Sequence, residues 1–161
     1  MTRPKLKQTV FATSIVSACL LVGIFVHLRH RIYFLWAFNQ SVAEVAGSNA
    51  PETGVDDACI AAQKCTSTED IRFVDSYCIA KLKEGEFAPG MVAFYVLLDG
   101  HDCLLDETVA TLKTLALDPA FSKLRQDEFR YLVEHNAKKN PTSVLSEHAN
   151  FAGSLNRNSA D

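Results

Sequence analysis

The residues of this chain best suited to chemistry are four cysteines: Cys59, Cys65, Cys78 and Cys103. Thiols in such a set bind a metal, exchange electrons or form disulfides, and their spacing helps to distinguish these uses. The intervals of five, twelve and twenty-four intervening residues lack the close pairs of structural zinc sites, even with His101 as a further ligand. A redox pair would have two intervening residues. An even number of cysteines in a small extracytoplasmic domain indicates disulfides. The sequence therefore predicts two disulfides, no metal and no cofactor.

The pairing of these cysteines is constrained by helix geometry. Along one helix, six residues separate Cys59 from Cys65 by about 9 Å of rise, which is too far for a disulfide. If helices over 56–65 and 68–84 form an antiparallel hairpin, Cys59 lies close to Cys78. This arrangement favours the pairs Cys59–Cys78 and Cys65–Cys103, although the sequence alone leaves the connectivity open.

A catalytic alternative is offered by the sequence His101-Asp102-Cys103, with His135 as a second candidate base. A thiol nucleophile needs a base within hydrogen-bonding reach, and neighbouring residues on a loop seldom meet in that way. A disulfide at Cys103 would also remove the nucleophile. We therefore predict that the protein is not an enzyme and assign no catalytic residue, with a thiol hydrolase using Cys103 and a histidine as the alternative.

The elements that position these residues begin with an apolar segment, residues 9–28, which has no charged side chain apart from His27. Twenty helical residues span about 30 Å, the thickness of the hydrocarbon core of a bilayer. The segment is longer than the apolar region of a cleaved signal peptide. Cys19 follows a lipobox-like sequence and leaves a lipoprotein as an alternative. The sequence predicts a single transmembrane helix.

Flanking charge predicts the orientation of this helix. Three basic residues precede it, so residues 1–8 are expected in the cytoplasm and the C-terminal part outside it. Residues 29–38 are predicted to lie at the membrane interface. The side chains suited to that position are Arg29, Arg31, Tyr33 and Trp36.

The remaining sequence divides into a predicted flexible spacer (39–55), a helical extracytoplasmic domain (56–140) and a polar C-terminal tail (141–161). The net charge of the whole chain is −3 and residues 1–31 contribute +5, which leaves −8 on the rest. So acidic a domain lacks the basic surface that nucleic acid requires, and we exclude nucleic acid as a partner.

Apolar spacing within residues 56–140 predicts four to five short helices. Residues 68–84 have apolar side chains at intervals of three and four, and Gly85 follows as a stop. Residues 91–98 form an apolar run that fits a buried helix or a buried strand, and we predict a helix. A further helix is predicted to begin at Asp118-Pro119, to bury Leu124 and to end before Asn140. The expected fold is all-α, a transmembrane helix followed by a small disulfide-stapled bundle.

Residues 59 to about 136 resemble the helical periplasmic immunity proteins of type VI secretion systems. The resemblance rests on four segments in order: CIAAQKC, DSYCIAKLKEG, HDCLLDETVATLKTL and LDPAFSKL. It implies a protein that binds and blocks a toxic partner without catalysis.

These patterns together predict a membrane-anchored, non-enzymatic protein-interaction module with a protein partner in the cell envelope. It would serve as an accessory subunit or as an inhibitor of an envelope protein. An immunity protein and a thiol hydrolase are the alternatives.

Overall fold

The computed structural model describes residues 28–48 and 54–140, and within them the chain is all-α, with six helices and no strand. This confirms the predicted fold class. The first helix, α1, covers residues 28–47. The others are α2 (Asp56–Gln63), α3 (Thr68–Glu84), α4 (Phe87–Asp99), α5 (Asp106–Ala116) and α6 (Lys123–Lys139).

Helix α4 lies at the centre of the bundle, where it packs against α2, α3 and α6, while α5 packs against α6 and α3. Its buried residues include Val92, Ala93 and Val96. The apolar run at 91–98 is therefore a helix, as predicted. Because neighbours cover it on several sides, it is apolar around most of its circumference.

Helix α3 begins and ends where its sequence predicts. The Ser67 hydroxyl accepts a hydrogen bond from the backbone N–H of Asp70 at 3.1 Å, which satisfies a donor in the first turn. Gly85 follows the last turn with φ of 79°, a conformation that a side chain would strain.

Helix α2 approaches α4 closely because its packed face is made of alanine. Ala58, Ala61 and Ala62 are fully buried. A Cβ atom placed on Gly100, just after α4, would lie 3.0 Å from the Ala62 Cβ and 2.5 Å from the Val96 carbonyl oxygen. Glycine at position 100 therefore permits this approach.

The start of α6 differs from the prediction. The helix begins at Lys123, with Ser122 as its N-terminal cap, rather than at Asp118-Pro119. Asp118 instead accepts a hydrogen bond from the backbone of Ala120 in a turn. Leu124, predicted to be buried, is 73% exposed because it lies on the outer face of α6.

Residues 29–38 were predicted to lie at a membrane interface and 39–55 to form a flexible spacer, and the structure has a packed helix through residue 47 of these ranges. Residues 29–47 are helical, and α1 buries Phe34 and Phe38 in the core. Both rings pack edge-on against Tyr77 of α3, with centroids 5.9 and 5.1 Å away. The Ser41 hydroxyl accepts a hydrogen bond from the backbone of Ala58, which joins α1 to α2.

The residues predicted to contact the membrane interface make protein contacts. Arg31 donates a hydrogen bond to the Asp70 carboxylate at 2.5 Å. Tyr33 stacks on Trp36 and also lies beneath the Lys64 ammonium, 4.5 Å from its ring centroid. The exposed Arg29 donates a hydrogen bond to its neighbour His30. Arg31 and Tyr33 therefore connect α1 to the rest of the bundle.

The membrane prediction also requires correction. Among the described residues, no helix has both the length and the apolar composition needed to cross a bilayer. The most apolar of the numbered helices, α4, has 13 residues and extends about 20 Å, against about 30 Å of hydrocarbon. This finding contradicts the single-pass, extracytoplasmic localisation. The predicted span at 9–28 lies outside the described residues except for Leu28, as do residues 1–8 and 141–161.

Candidate functional site

The four cysteines predicted to form disulfides are free thiols: Cys59, Cys65, Cys78 and Cys103. The predicted pairing depended on a hairpin of α2 and α3, but α2 makes its main contacts with α4. The disulfide-stapled bundle is therefore contradicted. Buried thiols act here as small apolar side chains, because the helices bury enough apolar surface around them.

Three of these thiols are poor nucleophiles. Burial raises the pKa of Cys59 to about 12 and that of Cys65 to about 11, and it raises the pKa of the fully buried Cys78 well above its ordinary value. A thiol with so high a pKa is protonated at neutral pH and reacts slowly. Cys103 is exposed, and it is the accessible thiol of the described residues.

Cys103 and His101, the pair singled out in the sequence, line one cavity of about 480 Å³, which we call the thiol cavity. Its lining residues come from the end of α2, the start of α3 and the loop before α5: Gln63, Cys65, Thr66, Ile71, Gly100, His101, Asp102 and Cys103. His135, the other candidate base, is not among them. It lies on α6 and stacks on Tyr131.

Beneath the thiol cavity, His101 faces a buried carboxylate. Its Nε2 atom lies 3.7 Å from Oδ1 of Asp75, beyond hydrogen-bonding distance, and neither atom has a hydrogen-bond partner. The other carboxylate oxygen, Oδ2, accepts a hydrogen bond of 2.6 Å from the Thr108 hydroxyl. Asp75 thus joins α3 to the first turn of α5.

Burial opposes charge on both of these side chains. It raises the pKa of Asp75 to about 6, although hydrogen bonds from Thr108 and the Leu105 backbone lower it in part. Burial lowers the pKa of His101, while the nearby Asp102 carboxylate raises it. Neutral His101 therefore faces a carboxyl group that ionises near pH 6.

No group of three cysteine, histidine or acidic side chains within 28–48 and 54–140 is arranged to hold a metal ion. The set of Cys59, Cys65, Cys78, Cys103 and His101 is not gathered at one point, because Cys103 and His101 face the thiol cavity while Cys78 is fully buried in the core.

A second cavity, of about 210 Å³, lies between α4 and α6, and we call it the aromatic groove. Aromatic and apolar side chains of α4 form one wall, and a charged pair on α6 forms the other. Its lining residues are Phe87, Gly90, Met91, Phe94, Tyr95, Arg125 and Glu128.

The charged wall of the aromatic groove is an ion pair. Arg125 Nη1 donates to Glu128 Oε2 at 2.7 Å, one helical turn along α6. A Cβ atom on Gly90 would lie 3.5 Å from the same Arg125 nitrogen, so the guanidinium rests on the backbone of α4 at its glycine. The pair holds a planar cation at the edge of an apolar cavity, a position that suits recognition of another protein.

Exposed apolar side chains lie on the two helices that form this groove. Phe87 is 67% exposed at the start of α4, and Leu124 is 73% exposed on α6. Tyr131, seven residues after Leu124 and on the same face of α6, is also exposed and stacks on Phe94 of the groove at 6.0 Å between centroids. Burying these side chains in a complex would be favourable, since each exposes a large apolar area to water.

Sequence reasoning missed the aromatic groove because it treated the apolar residues of α4 and α6 as core. A usable signal was present. The segment from Phe87 to Leu98 has more large apolar side chains than one buried face of a helix needs, with Phe94 and Tyr95 adjacent and therefore pointing in different directions.

Comparison with known proteins adds no relative: no family model, no curated protein and no solved structure matches this chain.

Proposed function

We propose that this chain is a non-enzymatic protein-interaction module, an accessory subunit or an inhibitor of another protein, and that it binds its partner through the aromatic groove. The observation that carries the proposal is a cleft lined by the exposed Phe87 and by Phe94, on which the exposed Tyr131 stacks, with the exposed Leu124 on the same face of α6. Scattered apolar residues are normal on a protein surface, whereas a contiguous patch around a cleft is typical of a binding site.

The chemistry of the groove supports a protein partner. Aromatic side chains and arginine contribute most of the binding energy in many protein interfaces, and the groove combines Phe94 and Tyr95 with Arg125. The Arg125–Glu128 pair satisfies its own charges in the free protein, so an apolar side chain of the partner can enter without leaving a charge unpaired. The resemblance to immunity proteins makes an inhibitor of a toxic protein the specific form of this proposal.

A site-specific crosslink tests this function. A photoreactive amino acid placed at position 124 of the full-length protein, in the native cells, should give one discrete adduct after irradiation. The same amino acid at position 117 is the matched control, because Leu117 is also an exposed leucine but lies at the end of α5, whereas Leu124 directly precedes the groove residue Arg125. We expect Phe87→Ser to abolish the adduct at 124 without destabilising the fold, since Phe87 is mostly exposed. Adducts of equal yield from 124 and 117, or none from 124, would contradict the proposal.

A thiol hydrolase is the second candidate, and it is favoured by one observation: Cys103 and His101 share the thiol cavity, with Asp75 next to the imidazole. In a hydrolase, Asp75 would have to move from 3.7 Å to hydrogen-bonding distance in order to orient His101, which would then remove the proton from Cys103. Cys103→Ser separates the two functions, because the side chain is exposed and its replacement leaves the core intact. If this variant loses biological function while the crosslink at 124 persists, the hydrolase is correct and the interaction module is not the whole function.

A further inference from the structure

A third concave surface lies between α2 and α4, on the other side of Tyr95 from the aromatic groove, and we call it the acidic groove. Its volume is about 490 Å³, and its apolar part is formed by Val55, Ile60 and Tyr95. Two carboxylates, Asp56 and Asp99, also line it, together with Cys59 and Gln63. No lysine or arginine is among its lining residues.

The two carboxylates of this groove both lie close enough to Cys59 to affect its thiol. Besides burial, the negative charges of Asp99 and Asp56 both raise the pKa of the Cys59 thiol on α2, which lines the groove. A cation does approach Asp99: Lys139 Nζ lies 3.4 Å from its Oδ1 atom and donates to the Leu98 carbonyl oxygen. Asp56 has no ion-pair partner among the described residues, so the groove retains a negative charge beside exposed apolar surface.

Apolar surface beside an unneutralised carboxylate suits an occupant of the opposite charge. Ile60 is half exposed, and covering it would be favourable only if the neighbouring carboxylates kept a polar partner after losing water. A lysine or arginine next to an apolar side chain meets both needs, because its methylene chain covers the isoleucine and its charged end reaches the carboxylate. An anionic lipid surface or a nucleic acid would instead be repelled.

We propose that the acidic groove binds a helical segment of the partner protein that has apolar side chains one helical turn apart and lysine or arginine side chains between them. The inference rests on the proposed function, because Tyr95 lines both grooves and one partner could therefore contact both. A segment crossing both grooves would follow α4 from Phe87 to Asp99, which is about 18 Å along the axis of a helix. A helical segment of about twelve residues covers that length.

Two synthetic peptides of fourteen residues test the proposed chemistry. Both have leucine at positions one helical turn apart and differ only in the polar positions, which are lysine in one and glutamate in the other. Binding of each fluorescein-labelled peptide to the full-length protein is measured by fluorescence anisotropy at low and at high salt. We expect the lysine peptide to bind at least about tenfold more tightly than the glutamate peptide, and to weaken as salt rises.

Substitutions assign this preference to the groove. The double variant Asp56→Asn and Asp99→Asn should weaken binding of the lysine peptide by about five- to tenfold. The matched control is Asp57→Asn with Asp102→Asn, which removes the same charge from neighbouring positions that do not line the groove. Because Asp56 and Asp57 are both exposed in the first turn of α2, the two variants should have similar stability.

Several results would overturn the proposal: neither peptide binds, the glutamate peptide binds as tightly, or the control variant weakens binding as much as the groove variant. The last would mean a diffuse attraction to an acidic protein. A dimer of this chain that Ile60→Ser dissociates would identify a second copy as the occupant instead. None of these results affects the crosslink from position 124, so failure of the cationic segment is distinguishable from failure of the interaction module.

Discussion

The buried carboxyl group of Asp75 should make stability depend on pH in a way that one substitution removes. Asp75 is 1% exposed, and its Oδ1 atom has no hydrogen-bond partner. Its pKa is raised from 3.8 to about 6, chiefly by burial, with a further contribution from the charge of Glu107. The folded protein therefore binds a proton more tightly at this position than the unfolded chain does.

The size of the effect follows from that difference in pKa. A difference of about 2 pH units corresponds to about 3 kcal/mol in the free energy of unfolding. Because the pKa is higher in the folded state, this contribution is fully present below about pH 4. It is lost as the pH rises through about 6. His101 has the opposite sign, since burial lowers its pKa: its contribution is present above pH 6.5, the ordinary pKa of histidine, and is lost as the pH falls through its folded value.

We expect Asp75→Asn to remove the contribution of Asp75 and to keep that of His101. The amide remains an acceptor for Thr108 and presents an NH₂ group to the neutral His101 Nε2 atom, which Oδ1 of Asp75 faces at 3.7 Å. The unfolding free energy of the variant, relative to the native sequence, should therefore rise by about 3 kcal/mol between pH 4 and pH 7.5.

Urea unfolding followed by circular dichroism and by the fluorescence of Trp36 measures this difference at a series of pH values. The exposed Asp57→Asn is the matched control and should show no such rise. A stability difference for Asp75→Asn that stays constant to within about 0.5 kcal/mol across this range would refute the reasoning, because the carboxyl group would then have the same pKa in both states.

Three further predictions concern the core. Alkylation of the native protein, followed by mass spectrometry, should modify Cys103 rapidly and Cys78 only after unfolding, since the first thiol is exposed and the second fully buried; equal rates would contradict this packing. Gly100→Ala should lower the free energy of unfolding by about 1–3 kcal/mol, because its Cβ would overlap the Val96 carbonyl; an unchanged urea midpoint would show that the end of α4 can rearrange to accept a side chain. Phe38→Ala should lower the free energy of unfolding by about 3–5 kcal/mol because α1 belongs to the core, whereas the exposed Trp36→Ala should lower it little; urea unfolding followed by circular dichroism measures both, and equal losses would contradict this packing.

Sequence signals of short range predicted much of the bundle. The Ser67 cap and the Gly85 stop delimit α3 because both act on backbone groups within a few residues of themselves. Val109 and Leu112, three residues apart in the sequence, both lie on the buried face of α5 for the same reason. The start of α6 was mispredicted because Asp118-Pro119 and Ser122 are both acceptable starts for a helix. In the structure the helix starts after Ser122, and Phe121 packs against Phe129.

What only the tertiary structure decided is which helix covers which face. The aromatic residues of α1 fit a membrane interface as well as a protein core, and their contact with Tyr77, some forty residues later, makes Phe34 and Phe38 core residues. The cysteine spacing is compatible with disulfides, but α2 packs on α4 and the four thiols are free. The grooves beside Tyr95 arise because α4 has more apolar surface than its neighbours cover. Helix formation depends on neighbours within about four residues, whereas burial depends on side chains that are distant in the chain, so sequence periodicity determined the helices and packing alone determined the sites.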